Sequence, residues 1–404
     1  MTYLIARVIV FPQESMMDFL KKRLESLKKA GLYRTLRLLE GSQSTTTIID
    51  GKRVLQLSSN NYLGLATHPR LRAAAKEAIE KYGSGAGASR LICGNLELNR
   101  KLEDKIAKLK GKESALLFST GYMANIGTIA TLMDEGDVIV SDELNHASII
   151  DGCRMSKAQT RVYPHRNMYA LEKLLKESRH SSHRLIVTDG IFSMDGDIVP
   201  LPDLVGLAER YECMLMVDDA HATGVLGAHG GGTGEYFDLQ DKIDISMGTL
   251  GKALGGFGAF VAGSHRLREF LINRARPFIF TTALPPAVIA SGIAALELLE
   301  EEPEMRARLW ENVGFFKKEI EDFGFNTLQS ETQIIPILVG DTSLTLRMGE
   351  MLLEEGVFIQ GIRPPAVPQG ASRLRITLMA THTQKELECA LEAIEKVGRR
   401  LHLI

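Results

Sequence analysis

The stretch "SMGTLGKALGGFGAF" (residues 246–260) places one lysine, Lys252, in a glycine-rich turn between two short apolar runs. Glycines let the backbone approach a bound group closely, and Thr249 with nearby main-chain N–H groups can donate to phosphate oxygens. A lysine held beside a phosphate-bearing aldehyde can form a Schiff base, which is the chemistry of pyridoxal phosphate. The ordinary alternative is a solvated surface lysine. The spacing matches neither GxxxxGK[ST] nor GxGxxG, so nucleotide binding is disfavoured.

Short apolar runs alternate with helical patterns from about residue 70 onward. They end in small or polar residues and read "SALLFST", "DVIVSD", "RLIVTDG", "MLMVDDAH", "DISMGTL" and "GAFVAG". Strands separated by helical stretches of ten or more residues predict crossover connections and a mostly parallel, buried sheet. Ligands bind where the strands of such sheets end. We therefore expect an α/β fold with its functional residues at the strand ends.

The C-terminal part has a different pattern. A long helical stretch follows residue 286 and is broken near Pro303, and three predicted strands follow: "QIIPILVGD", "VFIQGIRPP" and "RLRITLMATHT". Helices are predicted at 342–355 and 383–399. This pattern indicates a smaller α/β domain. We predict an N-terminal arm and helix over 1–60, a large domain over 61–290 and a small domain over 291–404.

The composition favours small-molecule chemistry. The 404 residues are 45% hydrophobic, enough for a large core, and 48 Lys and Arg nearly balance 50 Asp and Glu. A net charge of -2 gives no overall basic field for nucleic acid or an anionic membrane. The four cysteines lie far apart without metal-ligand spacing, so we expect reduced core thiols in a cytoplasmic protein with no metal site. They are Cys93, Cys153, Cys213 and Cys389.

The first segment, "MTYLIARVIVF", is apolar but about half as long as the roughly 20 residues of a spanning helix, and it lacks a small-residue cleavage site. We expect no membrane anchor. Met16 and Met17 stand immediately before "DFLKKRLESLKKAGL", where an amphipathic helix begins. The first fifteen residues are therefore expected to be an upstream translation extension or a loose arm.

A pyridoxal site needs an acidic partner for the pyridinium nitrogen, because protonation makes the ring an electron sink. The stretch "MLMVDDAHATG" offers Asp218 and Asp219 at a strand end, with His221 three positions after Asp218. We expect Asp218 to be that partner and His221 to donate to the ring oxygen. Read alone, this DxxH pattern equally suits a metal pair, a helix N-cap or a histidine that caps a turn. Lys252 at the end of another strand favours the pyridoxal interpretation.

Three other strand ends carry candidate residues. "FSTGYMAN" reads as a strand, a glycine turn and a helix start, and a helix N-terminus binds phosphate, so Gly121 and Tyr122 are expected beside the cofactor. His146 can stack on its ring, and Ser193 can donate a hydrogen bond to it. The alternatives are an ordinary turn at Gly121, a buried core histidine and a turn serine.

Together these stretches resemble one family. "SSNNYLGL", "GSGAGASRLICGN", "SDELNHASIIDG", "TDGIFSMDGDI", "VDDAHATGVLG" and "TLGKALGG" are similar to motifs of the α-oxoamine synthases, and the similarity runs from about residue 18 to 400. The resemblance implies a fold-type I, aspartate aminotransferase-like transferase that uses pyridoxal 5′-phosphate. It also implies a homodimer with the active site between subunits. The reaction it implies condenses a small amino acid with an acyl-coenzyme A, releasing coenzyme A and carbon dioxide.

The resemblance also implies roles for individual residues. Lys252 corresponds to the lysine that binds the cofactor and moves the α-proton, and Arg375 to the arginine that holds the substrate carboxylate. Thr281 or Thr282 is expected to reach the partner's phosphate group. The remaining correspondences are Asp218 with the pyridinium nitrogen, His221 and Ser193 with the ring oxygen, His146 with the ring face, Gly121, Tyr122 and Thr249 with the phosphate, and Asn60 and Arg34 with the substrate.

The family contains several reactions. "GSGAGASRLICGN", "FSTGYMANIG" and "IRPPAVPQGASRLRITLMATHT" favour the members that join L-alanine to pimeloyl-coenzyme A. "KAGLYR", "NHASIIDG" and "TLGKALGG" are shared with or closer to the glycine C-acetyltransferases, and a serine palmitoyltransferase is a further alternative. Ala366 stands where the alanine-using members commonly have a substrate-contacting threonine, which indicates a different acyl chain or broad tolerance.

Two alternatives come from other classes of protein. An inactive scaffold subunit of the same fold is disfavoured because Lys252, Asp218 and His221 are all present. A nicotinamide-dependent dehydrogenase is disfavoured because the dinucleotide-binding fingerprint is missing.

Overall fold

A computed structural model of the chain describes residues 15–404. The expectation for the N-terminal extension concerns residues that lie, apart from Ser15, outside this range. Ser15 caps the first helix, where its hydroxyl accepts a hydrogen bond from the Asp18 main-chain nitrogen at 3.1 Å. Over residues 15–404, no helix is long and apolar enough to cross a membrane.

Strands and helices alternate through most of the described chain. The strands are β1 Leu39–Glu40, β2 Thr46–Ile49, β3 Lys52–Gln56, β4 Ser114–Phe118, β5 Val138–Asp142, β6 Gln159–Tyr163, β7 Arg184–Asp189, β8 Met214–Asp218, β9 Ile245–Thr249, β10 Ala259–Gly263, β11 Ile334–Gly340, β12 Val357–Phe358, β13 Gln360–Ile362 and β14 Ser372–Thr377. The helices are α1 Met16–Lys29, α2 Pro69–Tyr82, α3 Glu97–Lys110, α4 Gly121–Leu132, α5 Ala147–Met155, α6 Met168–Glu177, α7 Leu201–Arg210, α8 Thr233–Tyr236, α9 His265–Arg274, α10 Arg276–Ile279, α11 Pro286–Glu301, α12 Glu304–Asp322, α13 Thr342–Glu354 and α14 Gln384–Arg400.

The largest sheet has seven strands in the order β4-β10-β9-β8-β7-β5-β6. Strand β10 runs antiparallel to both of its neighbours, and the pairs from β9 to β6 are parallel. Every residue of β5 is buried, which explains its uninterrupted apolar run, since helices cover both faces of such a sheet. The predicted α/β fold with a mostly parallel sheet is confirmed.

Strand β6 is missing from the strands that the apolar runs predict. It lies at the edge of the sheet, and four of its five residues are at least partly exposed. Its sequence "QTRVY" therefore lacks the apolar run by which the central strands can be identified.

Two smaller sheets are present, and the first of them joins strands from the beginning of the described chain to a strand near its end. One has the order β1-β2-β3-β12 and the other β11-β14-β13. Between β2 and β3 the chain turns at Asp50 and Gly51, whose φ angles are 51° and 77°. This is the Asp-Gly hairpin signal, which a search for apolar runs overlooks. Strand β12 pairs with β3 in parallel orientation. The predicted domain boundaries at residues 60 and 290 stay a prediction.

Segment 55–62 is held on both sides by the C-terminal part. The main-chain nitrogen of Leu57 donates to Phe358, and the Leu57 oxygen accepts from Thr377, at 3.0 and 2.9 Å. Further along, the Tyr62 oxygen accepts from Ala380 at 2.7 Å. The residues that follow β3 are therefore fixed between β12 and the end of β14.

Two predictions about individual residues have different outcomes. The helical break near Pro303 is present, because α11 ends at Glu301 and Pro303 caps α12. The prediction of four core thiols is wrong for Cys93 and Cys389, which are exposed. Cys389 lies on the outer face of α14, and Cys93 lies in the loop before α3. Cys153 is buried, and Cys213 is half-buried.

A charged cluster fastens the loop after β7 to the end of β5. His165 Nδ1 lies 3.0 Å from Asp142 Oδ1, and its Nε2 lies 2.8 Å from Asp197 Oδ2. Burial alone would lower the pKa of His165, but the hydrogen bonds to the two carboxylates outweigh it and raise the pKa to about 9. The charged His165 thus joins Asp197, in the loop that contains Ser193, to the end of β5.

This cluster predicts a pH-dependent stability. Since the pKa of His165 in the folded chain lies above its ordinary value of about 6.5, its stabilisation is complete below about pH 6.5 and is lost as the pH rises through about 9. The free energy of unfolding should fall by about 1–3 kcal/mol, the lower end applying if water screens the partly exposed ring. Urea unfolding from pH 6 to 10 should show this fall as the difference between His165→Gln and either the wild type or His180→Gln, an exposed control, because the other titrating groups are common to all three proteins. His165→Gln should lack most of it, and equal slopes in all three proteins would contradict the assignment.

Candidate active site

The candidate site lies at the edge of the large sheet where β4, β9, β8, β7 and β5 end. The Lys252 turn follows β9 and folds against the segment after β3. Gly255 in this turn has a φ of 62°, and a Cβ there would lie 2.4 Å from the main-chain nitrogen of Ala66. Only glycine fits this close contact. The glycines therefore bring Lys252 close to residues 60–66.

A continuous chain of hydrogen bonds runs from Lys252 to Arg375. Lys252 Nζ lies 2.7 Å from His221 Nε2, and His221 Nδ1 lies 2.6 Å from the Tyr62 hydroxyl. The Tyr62 hydroxyl donates to Asn60 Oδ1 at 3.0 Å, and both Nη atoms of Arg375 donate to the same oxygen at 3.2 Å. The structure thus brings together four predicted site residues, and Tyr62 is the one member that the sequence analysis missed.

Burial sets the charge states in this chain of hydrogen bonds. Burial lowers the pKa of Lys252 to about 8, although the nearby Asp218 carboxylate opposes the shift. Burial, together with the charges of Lys252 and Arg375, holds the pKa of His221 well below its ordinary value. His221 is therefore neutral near pH 7, and the Lys252 amine loses its proton close to neutral pH, as a general base requires.

Asp218 is the centre of a second network. This buried carboxylate accepts from Asn125 Nδ2 at 2.7 Å and from the Ala220 main-chain nitrogen at 2.9 Å. Asn125 Nδ2 also donates to Ser148 Oγ at 2.8 Å, and Ser148 Oγ lies 2.7 Å from His146 Nδ1. Asp218 and His146 are therefore linked through two residues that the sequence analysis did not single out. Asn125 lies one helical turn after Gly121, a spacing that could have indicated it.

Asp189, which ends the neighbouring strand β7, is a further buried acid beside this network. Its Oδ2 accepts from the His146 main-chain nitrogen at 2.7 Å, which fixes the start of α5. Burial and the charge of Asp218 raise the pKa of Asp189 well above its ordinary value. Asp189 thus positions His146 through the main chain.

The two adjacent aspartates of "VDDAH" have different environments. Asp219 Oδ2 lies 2.9 Å from Lys110 Nζ, and Asp219 Oδ1 accepts from the Thr233 hydroxyl at 2.5 Å. The side chains of Lys110 and Asp219 are only 2% and 1% exposed. Because successive side chains of an extended segment point to opposite faces, Asp218 faces the site and Asp219 pairs with Lys110 behind it.

Asp219→Asn should destabilise the fold far more than Asp218→Asn. Removing the Asp219 charge leaves Lys110 buried without a counter-charge, which costs about 3–5 kcal/mol. Asp218 accepts from the Asn125 amide through Oδ2 and from the Ala220 main-chain nitrogen through Oδ1, and the single side-chain oxygen of an asparagine in its place keeps one of the two, so this variant loses one hydrogen bond but no buried ion pair. Urea unfolding followed by circular dichroism compares the two variants, and equal losses of stability would contradict this assignment.

The predicted phosphate-binding residues lie around the ends of β4 and β9. Gly121 begins α4, and the exposed Tyr122 donates from its hydroxyl to Asp151. The Thr249 hydroxyl donates to the Gly258 oxygen at 2.9 Å and accepts from the Gly251 nitrogen at 3.1 Å, within the turn itself.

The other predicted site residues lie in three different places. Thr281 and Thr282 line a small cavity with Ser119, immediately after β4. The main-chain oxygen of Ser193, and not its hydroxyl, accepts from Arg375 Nε at 2.5 Å. Arg34 lies outside both networks, on the wall of a separate cavity of about 610 Å³ that Ala366 also lines.

The sequence of the chain matches a transferase family. Residues 52–394 match the model of aminotransferase class I and II, and the chain belongs to that family. It is 54% identical over 390 residues to the 8-amino-7-oxononanoate synthase of Citrifermentans bemidjiense, covering 96% of this chain and 100% of that protein. The enzyme of the same name from Geobacter sulfurreducens is 53% identical over 383 residues, 94% of this chain and 98% of that one.

Two solved structures of enzymes are also similar to this chain. A serine palmitoyltransferase from S. paucimobilis, solved with a PLP-myriocin aldimine, has a TM-score of 0.91 and 33% identity, covering 96% of this chain and 98% of that one. The 8-amino-7-oxononanoate synthase of Francisella tularensis has a TM-score of 0.75 and 30% identity, covering 87% and 99%. The predicted family resemblance and the fold-type I architecture are confirmed.

Proposed function

We propose that this chain is a pyridoxal 5′-phosphate-dependent acyltransferase that condenses L-alanine with pimeloyl-coenzyme A. The products are 8-amino-7-oxononanoate, coenzyme A and carbon dioxide, a step of biotin biosynthesis. The observation that carries this proposal is the identity of more than half of all positions, over nearly the whole chain, with proteins named for that activity. The two alternative reactions, of glycine with acetyl-coenzyme A and of serine with palmitoyl-coenzyme A, receive less support from these relatives.

The residues at the sheet edge fit the proposed cofactor. Asp218 is a buried carboxylate that suits a protonated ring nitrogen, and the Lys252 amine suits an aldehyde. The start of α4 at Gly121 offers main-chain N–H groups to a phosphate. Asn125 Oδ1, beside Asp218, is buried with no hydrogen-bond partner among residues 15–404, so this oxygen can accept a hydrogen bond from a bound group. When bound, pyridoxal phosphate supplies an electron sink for negative charge at the substrate's α-carbon.

The chain's own residues then perform separate tasks. Arg375, held by Asn60 and by the Ser193 oxygen, is positioned to bind the alanine carboxylate. Lys252 Nζ binds the cofactor and later removes and returns the α-proton, because its lowered pKa lets the amine exist without a proton near neutral pH. Asn125 holds the Asp218 carboxylate in place through a hydrogen bond, and this carboxylate would pair with the protonated ring nitrogen.

We further propose a cytoplasmic homodimer. Leu91, Ile92 and Phe280 are 52%, 79% and 71% exposed on two segments that meet where the Ala283 nitrogen donates to the Ala88 oxygen. Helix α1 has no buried residue, and several of its apolar side chains are exposed. Exposed apolar surface of this extent is typical of subunit interfaces, and it adjoins Thr281 and Thr282, one of which we expect to reach the phosphate group of the partner's cofactor.

The acyl chain is expected to pass near Ala366 and Arg34. Their cavity is bordered by Gln360 of β13, which pairs with Arg375 of β14. A methyl group at Ala366 offers no hydrogen bond, so we expect the enzyme to accept acyl chains besides pimeloyl.

Lys252→Ala should lower the rate of coenzyme A release at least about a thousandfold, because it removes the base. The variant should still bind pyridoxal phosphate through the other contacts. In the wild type, borohydride reduction followed by mass spectrometry should place the pyridoxyl group on Lys252. Lys157→Ala, an exposed control, should keep full activity. Substantial condensation by Lys252→Ala would contradict the proposed role.

The substrate assignment is tested by coenzyme A release from alanine, glycine and serine, each with acetyl-, pimeloyl- and palmitoyl-coenzyme A. Alanine with pimeloyl-coenzyme A should have the highest kcat/KM. Ala366→Thr should narrow the range of acyl chains that the enzyme joins to alanine. Highest activity with glycine and acetyl-coenzyme A, or with serine and palmitoyl-coenzyme A, would refute the assignment.

A further inference from the structure

Two arginines of β14 hold the same short segment of the loop after β7. Arg375 Nε donates to the Ser193 oxygen at 2.5 Å. Arg373 Nη1 donates to the Met194 oxygen at 3.2 Å and to Asp195 Oδ1 at 2.6 Å. Because side chains two positions apart on a strand point to the same face, both guanidinium groups lie on the face of β14 that contacts this loop. Three consecutive residues of the loop are thus bound by one strand.

Arg373 is a buried charge with one acidic partner. Its side chain is 4% exposed and that of Asp195 is 23% exposed, and Asp195 is its one ion-pair partner among residues 15–404. Arg373 Nε also donates to the Ala371 oxygen at 3.0 Å, which fixes the guanidinium against its own strand. A buried guanidinium is held strongly to its partner, because leaving the charge unpaired is costly. The ion pair therefore fastens the loop to β14 at Asp195.

The loop is also attached beyond Asp195. Gly196 has a φ of 73°, and a Cβ there would lie 2.1 Å from the Ile334 oxygen. The Gly196 oxygen accepts from the Glu331 nitrogen at 3.0 Å and from the Thr332 hydroxyl at 2.8 Å. These contacts lie at the start of β11 and do not involve Arg373. Replacement of Arg373 therefore loosens the part of the loop nearest Arg375 and leaves the end of the loop attached.

Ser193 is the residue through which the loop acts on Arg375. Its oxygen occupies the Nε–H group of Arg375, so the two Nη groups, which contact Asn60 Oδ1, remain for a carboxylate. Two N–H groups in a fork are the arrangement that binds both oxygens of a carboxylate. The Ser193 hydroxyl has no hydrogen-bond partner within the described chain, so it is free to donate to the proposed cofactor. A displacement of Ser193 would therefore turn Arg375.

We propose that Arg373 and Asp195 are positioning residues for Arg375. Their ion pair holds the main chain at Ser193, so that the Ser193 oxygen fixes the direction in which Arg375 presents its two Nη groups. Arg373 acts through the loop and not by contact with the substrate. The inference rests on the proposed function in so far as Arg375 binds the alanine carboxylate. The attachment of the loop to β14 does not depend on that function.

A comparison of two ligands separates positioning from general stability. L-Alanine carries the carboxylate that Arg375 is proposed to bind, whereas L-alaninamide has nearly the same shape and lacks the negative charge. A general weakening of the fold lowers the affinity for both ligands. Misdirection of Arg375 lowers the affinity for alanine alone. The ratio of the two dissociation constants therefore reports the orientation of Arg375.

The first experiment needs no substrate. Hydrogen–deuterium exchange of the purified protein is measured in the peptide that spans residues 190–198, where the Phe192 and Gly196 amides donate within the loop. Arg373→Gln should speed this exchange about tenfold, because it removes two hydrogen bonds to the loop. Arg306→Gln, which removes a similarly buried arginine that binds main-chain oxygens elsewhere, should match the wild type in this peptide. Unchanged exchange in Arg373→Gln would overturn the proposal.

The second experiment measures the dissociation constants of L-alanine and L-alaninamide from the change in cofactor absorption of the pyridoxal phosphate-loaded protein. The wild type should prefer alanine. Arg373→Gln and Asp195→Ala should reduce this preference about tenfold to a hundredfold, the size expected for one hydrogen bond to a charged group. Asp195→Asn retains an oxygen that can accept from Arg373 Nη1, so it should recover part of the preference. Arg306→Gln should keep the wild-type ratio.

The outcomes separate this proposal from the proposed function. An unchanged ratio in Arg373→Gln, or equal weakening of both ligands, would overturn the positioning role. Absence of coenzyme A release by the wild type, with the expected ratios present, would refute the proposed reaction and leave the positioning role standing. A wild type that binds alanine no better than alaninamide would refute the role of Arg375 in binding the carboxylate, and with it the role proposed for Arg373.

Discussion

The burial of the Lys252 amine is the constraint on which the rest of the site depends. An ammonium group taken out of water is costly, and here the cost is reduced by lowering the pKa of Lys252 to about 8 and by a hydrogen bond to a neutral His221. A charged imidazole at that position would repel the protonated form of the amine. The site therefore needs His221 to stay neutral, and the two ring nitrogens of His221 lie against the Tyr62 hydroxyl and the Lys252 amine.

The parallel sheet places three aspartates and Lys252 at one edge, and their surroundings give each aspartate a different role. Asp189, Asp218 and Asp219 all lie at the ends of β7 and β8, within three strands of Lys252. Pairing with Lys110 removes Asp219 from the site, and burial beside another carboxylate favours the protonated form of Asp189. Asp218 is thus left as the carboxylate that, in our proposal, pairs with the cofactor.

Sequence patterns predicted much of this arrangement, and their limits have physical reasons. The buried strands are apolar runs, so β4, β5, β7, β8, β9 and β10 were found, whereas the half-exposed edge strand β6 was not. The candidate residues at strand ends were found because each follows such a run. Tyr62 and Lys110 were missed because their partners, His221 and Asp219, lie more than 100 positions away along the chain. No local sequence pattern indicates a contact between residues so far apart in the chain. Arg34 was predicted from family resemblance, and it lies on a separate cavity wall.

The pairing of β12 with β3 has a consequence for the order in which the chain folds. Asn60 and Arg375 are 315 positions apart, and the segment with Asn60 and Tyr62 takes its hydrogen bonds from residues 358–380. Contacts over such a distance form late, because a long loop must close first. During synthesis the ribosome releases Lys252 and its glycine turn well before β14 exists. A nascent chain therefore carries the Lys252 amine before the proposed substrate-binding residue Arg375 has been synthesised, and on this proposal the enzyme becomes competent only when β14 is in position.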